Sequence, residues 1–306
     1  MKIFLTGATG VVGRRVVPLI IQQGHAVTAI GRTAAKRGAL QRSGANAVGI
    51  DIFDEPQLRQ AIAGHDAVVN LATHIPSSTT RMLLPWAWRE NDRVRRLGSA
   101  ALVNAALATG VRRFIQESFA PIYAAHGDAW IDEHHIVRPV RYNRSSLDAE
   151  RAAARFTAGG GAGVVLRFAG FYGSDAFTLR EIVDTMRKGW APIPGSPEAF
   201  FSSISHDDAA SAVAAALDVE AGIYNVSDNE PLRRGEWVAQ LASILAIAQP
   251  RPLPAWVARV GGSMVELLSR SQRISNRKLC AASTWTPTYP SVREGFRAVE
   301  REWNGK

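Results

Sequence analysis

The sequence lacks the features that mark several protein classes. It has one cysteine, Cys280, among 306 residues, which excludes an internal disulfide framework and a cysteine metal cage. No stretch approaches the ~20 uncharged apolar residues that a membrane-spanning helix needs. No repeat or low-complexity tract is visible, and no basic leader follows Met1. We therefore expect a cytoplasmic protein with no membrane partner.

Acidic side chains are the minority among the charged ones. Asp and Glu total 27 against 36 Lys and Arg, a formal net charge of +9. Hydrophobic residues make up 46 % and charged residues 21 %, which excludes disorder, collagen-like repeats and a coiled coil. The basic residues are spread along the chain without a helix-turn-helix or zinc finger, so anionic small ligands are expected rather than nucleic acid. A nucleic-acid or membrane-surface binder stays an alternative, with steep salt dependence as its mark.

Apolar strands alternate with helical segments along the chain. The predicted strands are Lys2–Thr6, His25–Ile30, Ala47–Ile50, Ala67–Leu71, Arg113–Glu117, Val164–Phe168 and Gly222–Val226. Strands this apolar are buried on both faces, which predicts a parallel sheet covered by helices. The fold class is therefore α/β, a Rossmann-type doubly wound sheet of about seven strands. Two helices are predicted over Pro85–Thr109 and Tyr142–Thr157.

The pattern becomes less regular after Phe168. Pro192, Pro194 and Pro197 frame a loop. Helical stretches recur at Thr178–Lys188, Arg234–Ile247, Trp256–Leu268 and Ser291–Trp303. These features predict a smaller, mostly helical substrate lobe made of residues 171–203 and 231–306. The cofactor-binding Rossmann domain would comprise residues 1–170 and 204–230.

A glycine-rich turn joins the first predicted strand to the first helix. Gly7 permits the tight turn, Gly10 lets backbone approach a pyrophosphate, and Gly13 allows the helix to pack closely on the strand. The free N–H groups at the helix N-terminus would face the phosphates. The residues between these glycines complete the predicted phosphate site, namely Thr9, Val11 and Val12.

The end of the second strand selects between dinucleotides. An acidic residue there accepts a hydrogen bond from the ribose 2′-hydroxyl of NAD, but this chain has Gly31 and Arg32. A guanidinium grips a 2′-phosphate, so NADP(H) is predicted over NAD(H). Lys36 and Arg37 are further basic residues nearby, and Arg14 lies beside the glycine turn. Asp51 and Ile52, after the third strand, are placed to flank the adenine, although Asp51 is equally compatible with a turn role.

Several segments together resemble the extended short-chain dehydrogenase/reductase superfamily, the epimerase/dehydratase group. The segments are Thr6–Gly13, Asp66–Ala72, Arg113–Ser118 with Tyr123, Tyr142–Glu150, Leu166–Gly173, Ile204–Ala210 and Arg277–Leu279 with Trp285 and Pro287. The resemblance implies that Leu71, Ala72 and Thr73 run beside the cofactor. It also implies a homodimer built on two helices, although the arginines of the long helix favour a monomer as the alternative.

The same resemblance implies an active site with missing parts. Tyr142 matches the family's acid/base tyrosine, which also contacts the cofactor. The family lysine four residues later binds the nicotinamide ribose and lowers the tyrosine pKa, but Ser146 stands there. Phe119 stands where a catalytic serine or threonine is expected, and Ser118, one residue early, is the candidate in its place, with Glu117 and Tyr123 as alternatives. Arg95 replaces the expected asparagine of the long helix, and Asn91 lies one turn earlier.

One further candidate comes from position alone. His74 follows the fourth strand, at the carboxyl edge where ligands bind, and is a candidate general acid or substrate contact. No third ligand accompanies the histidine pair His134 and His135, so no metal site is expected.

The sequence favours an NADP-dependent oxidoreductase or epimerase-like enzyme acting on a carbonyl or hydroxyl carbon of a small polar substrate, including a nucleotide-linked sugar. A non-catalytic NADPH-binding sensor or assembly protein is the alternative.

Overall fold

A seven-stranded parallel sheet forms the centre of the protein. The computed structural model describes residues 1–191, 193–251 and 262–305. The sheet strands are β1 (Lys2–Thr6), β2 (Ala26–Ile30), β3 (Asn46–Val48), β4 (Ala67–Asn70), β5 (Arg113–Phe119), β7 (Ala162–Phe168) and β11 (Gly222–Val226). Their spatial order is β3-β2-β1-β4-β5-β7-β11, which is the doubly wound order with its switch point beside β1. The predicted fold class and the seven strands are confirmed.

Short strands and the helices complete the described chain. Three two-stranded sheets are formed by β6 (Trp130–Ile131) with β13 (Arg273–Ile274), β8 (Gly170–Tyr172) with β10 (Ser203–Ser205), and β9 (Phe200–Phe201) with β12 (Leu232–Arg233). The helices are α1 (Gly13–Gln22), α2 (Ala34–Arg42), α3 (Glu55–Ile62), α4 (Thr79–Met82), α5 (Arg89–Arg93), α6 (Ser99–Ala108), α7 (Ser146–Ala158), α8 (Phe177–Arg187), α9 (His206–Ala215), α10 (Arg234–Ile244), α11 (Gly262–Ser269), α12 (Arg277–Ala282) and α13 (Val292–Asn304).

The three largest apolar clusters hold these elements together. One face of the sheet is covered by α1 and α9, which bury Val16, Ile20 and Val213 among others. The opposite face is covered by α3, α6 and α7. A third cluster lies away from the sheet, where α8, α10 and α13 bury side chains such as Trp237 and Phe296. This separate core agrees with a second lobe, and the residue limits of the two domains stay a prediction.

The two helices predicted to carry active-site residues are interrupted. Pro85–Thr109 is not one continuous helix but a 3₁₀ turn at Pro85–Trp88, then α5, a π-helical turn at Val94–Gly98, and α6. The helix predicted from Tyr142 begins only at Ser146, and Tyr142 lies in a preceding 3₁₀ turn. That turn is fixed by Asn143, whose side-chain oxygen accepts a hydrogen bond from the Val140 N–H at 2.9 Å.

Other boundaries differ by a few residues. β5 continues beyond the predicted Glu117 to Phe119 because it pairs with β7 as far as Phe168. Pro192 and residues 256–261 of the predicted helix Trp256–Leu268 lie outside the described residues, and its remainder is α11. No helix in the described ranges is both long and apolar enough to cross a membrane.

Candidate dinucleotide site

The glycine turn combines two closely packed glycines with one open one. Gly7 has φ +72°, and a Cβ there would lie 2.3 Å from the Leu71 carbonyl. A Cβ on Gly13 would lie 2.2 Å from the Gly7 oxygen. At Gly10 the nearest atom is the Gly7 oxygen at 3.2 Å, so its outer side is open. Two glycines therefore serve packing, and the third leaves backbone accessible to a ligand.

The helix that follows this turn offers its N-terminal amides. No side chain caps the first turn of α1, and no acidic residue lies in it. The unmet N–H groups and the helix dipole favour an anionic group at this position. The predicted residues Val11 and Val12 precede the helix here, while Gly13 is buried behind them.

A cleft of about 230 Å³ opens at the carboxyl ends of β1, β2, β3 and β4. Ten predicted residues line it, namely Gly7, Thr9, Gly10, Arg32, Asp51, Ile52, Leu71, Ala72, Thr73 and His74. It is also lined by Thr6, Ile30, Lys36, Ile50, Phe53, Glu90 and Val94. Of the lining residues that prediction missed, Glu90 and Val94 lie four apart on the long helical segment, a spacing that could have revealed a shared face.

The basic residues near β2 divide into two groups. Arg32 and Lys36 line the cleft, and the Arg32 side chain is exposed. Arg37 turns back and donates a hydrogen bond to the Gly31 carbonyl at 3.1 Å. Arg14 pairs with Asp175, an aspartate that also pairs with Arg15. Two of the four basic residues are therefore placed to meet a phosphate in the cleft.

Asp51, in the loop after β3, both stabilises a turn and lines the cleft. Its carboxylate accepts a hydrogen bond from the Phe53 N–H at 3.1 Å, which closes an Asx-type turn. Phe53 is covered by the Arg93 guanidinium, 3.8 Å from the ring centroid. The two interpretations of Asp51 made from the sequence are thus compatible with one another.

Buried polar side chains fix the floor of the cleft. Asn70 accepts a hydrogen bond from the Thr6 hydroxyl at 2.6 Å and donates one to Gln116 at 2.9 Å. The same Asn70 oxygen accepts from the Ala72 N–H at 3.2 Å. The backbone of Leu71 and Ala72 is therefore held in place by neighbouring strands, as a wall that positions a ligand requires.

Tyr142 is half-buried and packs on aromatic rings. It meets Trp88 edge to face with centroids 4.1 Å apart, and Phe119 at 6.4 Å. Burial raises the Tyr142 pKa above its ordinary value; the nearby Arg95 charge opposes this rise and the Glu117 carboxylate adds to it. Its phenol is therefore protonated at neutral pH. Tyr142 is not among the residues that line the cleft.

A buried cation occupies the space beside Ser146. Arg95, 5 % exposed, donates a hydrogen bond to the Ser146 hydroxyl at 2.9 Å and to Glu117 at 3.0 Å. The sequence predicted no cation one turn after Tyr142, and the structure brings one there from the π-helical turn. Two separate departures from the family pattern, at residues 95 and 146, thus meet in space.

Ser118 and His74 have different environments. Ser118 is fully buried, and its hydroxyl donates to Glu150 at 2.6 Å. Glu150 is held by two hydrogen bonds from Arg167, so Ser118 belongs to a buried network, away from the cleft lining. His74 is exposed on the cleft, and its backbone N–H donates to the Asn91 side chain at 2.9 Å.

Comparison with known proteins supports the class that these features define, a dinucleotide-binding protein. A family model described as NAD(P)H-binding matches residues 7–220. The chain belongs to this NAD(P)H-binding family. Its fold is shared by a UDP-glucose 4-epimerase structure. The resemblance drawn from the sequence is confirmed.

The chain is similar to two relatives in sequence and to one crystal structure in fold. A 3-diazoavenalumate denitrifying reductase from a Streptomyces species is 31 % identical, covering 97 % of this chain and 99 % of the relative. Photosystem II assembly factor Ycf39 from Synechocystis sp. is 29 % identical over 38 % of this chain and 32 % of its own. The UDP-glucose 4-epimerase of Thermotoga maritima, solved with UDP-glucose, shares the fold with a TM-score of 0.80 at 21 % identity, covering 100 % of this chain and 99 % of the epimerase.

Proposed function

We propose that this protein is an NADPH-dependent reductase that acts on a carbonyl or similarly electrophilic centre of a small polar substrate. The observation that carries the proposal is the cleft, which is lined by the open glycine Gly10, just before α1, and by two cations, Arg32 and Lys36. When bound, NADPH supplies the hydride. The chain's contribution is to hold the dinucleotide, exclude water and manage the proton.

The donor set fits a phosphorylated dinucleotide. The α1 N-terminus and Gly10 suit a pyrophosphate, whereas Arg32 and Lys36 suit a 2′-phosphate. The residue that ends β2 is followed by Gly31 and Arg32, so no carboxylate stands there to repel the phosphate. NADPH is therefore the proposed cofactor, with NADH as the weaker ligand.

The protonation state of Tyr142 favours the reductive direction. Reduction of a carbonyl needs a proton donor for the oxygen, and a protonated phenol supplies one. Oxidation of an alcohol, which opens an epimerase cycle, needs a base, and Tyr142 with its raised pKa is a poor one. A sugar-nucleotide ketone remains a candidate substrate, while epimerisation of a sugar alcohol does not suit this site.

A diazo compound is a second candidate acceptor. The relative of nearly full-length coverage is named a denitrifying reductase of 3-diazoavenalumate. An aryl diazonium ion takes up one hydride and releases N2, leaving the arene, so that atoms and charge balance without any proton. Such an acceptor would turn over even where the family's proton relay is incomplete.

Calorimetric titration with NADPH, NADP⁺, NADH and NAD⁺ tests the cofactor assignment. Arg32→Ala should weaken NADPH binding about 10- to 100-fold, the value of a charge-assisted hydrogen bond, and leave NADH binding nearly unchanged. Arg42→Ala is the matched control, because Arg42 is an exposed arginine of α2 outside the cleft. Equal binding of NADPH and NADH by the unmodified protein would refute the preference.

Turnover is then measured as NADPH oxidation with 9,10-phenanthrenequinone and with an aryl diazonium salt. Tyr142→Phe should slow the carbonyl reaction about 10²-fold or more, as expected for loss of a general acid, and spare the diazonium reaction. Equal rates of quinone reduction by the variant and the original protein would remove Tyr142 from the mechanism.

One observation favours a second function, a non-catalytic NADPH-binding module. Ser146 replaces the lysine on which the family's chemistry depends, and one partial relative is an assembly factor. Tight NADPH binding without oxidation by any acceptor would support this function over the reductase.

A further inference from the structure

We propose that Arg95 is the cation that replaces the family lysine, and that with Asn91 it presents N–H donors to an uncharged acceptor oxygen beside Tyr142. The acceptor has the chemistry of a ribose hydroxyl or a substrate carbonyl. This proposal rests on the reductase function proposed above and assigns the group that completes its site.

The guanidinium is held from two sides. One terminal nitrogen lies 2.9 Å from the Ser146 hydroxyl, and the other lies 3.0 Å and 3.4 Å from the two oxygens of Glu117. A serine at position 146 leaves room that a lysine stem would fill. The Arg95 guanidinium therefore lies next to position 146, where the family has its lysine. It comes from the π-helical turn rather than from α7, and residues 95 and 146 are 51 positions apart.

The backbone around Arg95 forms a π-helical turn, a conformation that is often found at functional sites. Arg95 lies in the π-helical turn Val94–Gly98, between two α-helical segments. Glu90 and Val94, which directly precede Asn91 and Arg95 in the chain, line the dinucleotide cleft. Asn91 and Arg95 are buried next to them, so this segment borders the cleft.

Two donors in this segment lack acceptors within the part of the chain described. The Nε of Arg95 and the Nδ2 of Asn91 are both buried and unpartnered, and both residues are at least nine-tenths buried. Asn91 uses its oxygen to accept from the His74 N–H, which directs the amide so that its nitrogen is the free end. A buried donor without an acceptor is costly, so an oxygen placed there by a ligand would be stabilised.

The charge of the site selects the acceptor. Glu117 compensates Arg95, so the pair is neutral as a unit and offers hydrogen bonds rather than net positive charge. A ribose hydroxyl or a carbonyl oxygen suits such a site better than a phosphate, which is already provided for at Arg32 and Lys36. Burial raises the Tyr142 pKa, and Glu117 offsets part of the opposing effect of Arg95, so the phenol stays protonated.

The competing explanation is that Arg95 and Glu117 only join the helix to β5. A single Arg95 variant cannot decide, because it would leave Glu117 charged and buried and could unfold the protein. The test therefore uses two double variants. Arg95→Met/Glu117→Gln removes both charges, and Arg95→Met/Ser146→Lys removes the guanidinium but places a lysine at position 146 of α7. Thermal unfolding identifies which variants are folded.

Calorimetry with NADPH and NADH is the first measurement. If the acceptor is a ribose hydroxyl, Arg95→Met/Glu117→Gln should weaken both dinucleotides alike by about tenfold or more, and Arg95→Met/Ser146→Lys should bind within about threefold of the original protein. This differs from Arg32→Ala, which should affect NADPH alone. If the acceptor is the substrate carbonyl, dinucleotide binding stays constant and the KM for phenanthrenequinone rises by a similar factor.

Each outcome bears on one proposal. Unchanged dinucleotide binding together with an unchanged KM in the folded Arg95→Met/Glu117→Gln variant would overturn the Arg95 assignment alone. A folded Arg95→Met/Ser146→Lys variant that recovers neither binding nor KM would also overturn it. Failure of the unmodified protein to bind any dinucleotide would instead overturn the proposed function.

Discussion

Substitution of the three turn glycines should separate folding from cofactor binding. A methyl group on Gly13 would lie 2.2 Å from the Gly7 oxygen and 2.7 Å from the Ala8 Cα, which are backbone atoms that cannot step aside. Overpacking of this kind costs about 1–3 kcal/mol. At Gly7 the methyl group would meet the Leu71 carbonyl at 2.3 Å, and φ of +72° adds about 1–2 kcal/mol for a residue other than glycine.

Gly10→Ala is expected to behave differently. Its methyl group meets one protein atom, at 3.2 Å, and its φ is not in the left-handed region. The free energy of unfolding should therefore change by roughly 0.5 kcal/mol, as for an ordinary surface substitution. The methyl group would stand where a pyrophosphate approaches, so NADPH affinity should fall about tenfold or more.

Denaturant unfolding and calorimetric titration with NADPH measure the two quantities separately. Gly38→Ala is the control, because Gly38 lies in α2 and has only the Arg42 guanidinium within reach, at 3.6 Å. That substitution should stabilise the helix by up to about 1 kcal/mol and leave NADPH binding unchanged. NADPH binding by Gly10→Ala at the original affinity, or unfolding of Gly10→Ala as severe as that of Gly13→Ala, would refute the reasoning.

Two further predictions concern buried ionisable side chains. His206, 3 % exposed, has its pKa lowered to about 4 from 6.5 by burial and by Arg15 and Arg14, against the opposite effect of Asp207; its ring also contacts Asp175 at 2.8 Å. Because the unfolded chain binds the proton first, stability should fall as pH drops from about 6.5 to about 4, by up to about 3 kcal/mol. Urea titrations across this range should show a smaller acid loss for His206→Gln, and equal losses would disprove the assignment. Arg167→Leu leaves Glu150 buried without the two hydrogen bonds of 2.8 and 2.7 Å that it accepts from Arg167, so the free energy of unfolding should fall by about 3–5 kcal/mol. The addition of Glu150→Gln should recover part of that loss, and no recovery would contradict the ion-pair explanation.

The sequence predicted the framework of the site because glycine spacing and strand periodicity are local properties. The spacing of Gly7, Gly10 and Gly13 is enough to predict the turn, and the apolar strands predict a buried parallel sheet. The cleft lining after β2, β3 and β4 follows from these, because the carboxyl ends of parallel strands meet at one edge.

Other features depend on contacts between distant residues. The approach of Arg95 to Ser146 joins two positions that look like unrelated losses in the sequence. Burial of Ser118 follows from the extension of β5 against β7, which the pattern of β5 alone did not reveal. The π-helical turn and the 3₁₀ turn that hold Arg95 and Tyr142 have no strong local signal, so both helices were predicted as continuous.

The position of β11 in the chain bears on how the protein is synthesised. Six sheet strands are complete once residue 168 has been made, but the edge of β7 is covered only when Gly222–Val226 arrives, after the excursion through α8 and α9. At a translation rate of about 5–20 residues per second, that edge stays open for roughly 3–12 s. During this interval the nascent chain carries an unpaired parallel edge, the kind of surface on which a second chain can add a strand. Pairing of β11 with β7 therefore completes the sheet and also removes the edge at which the nascent chain could misassemble.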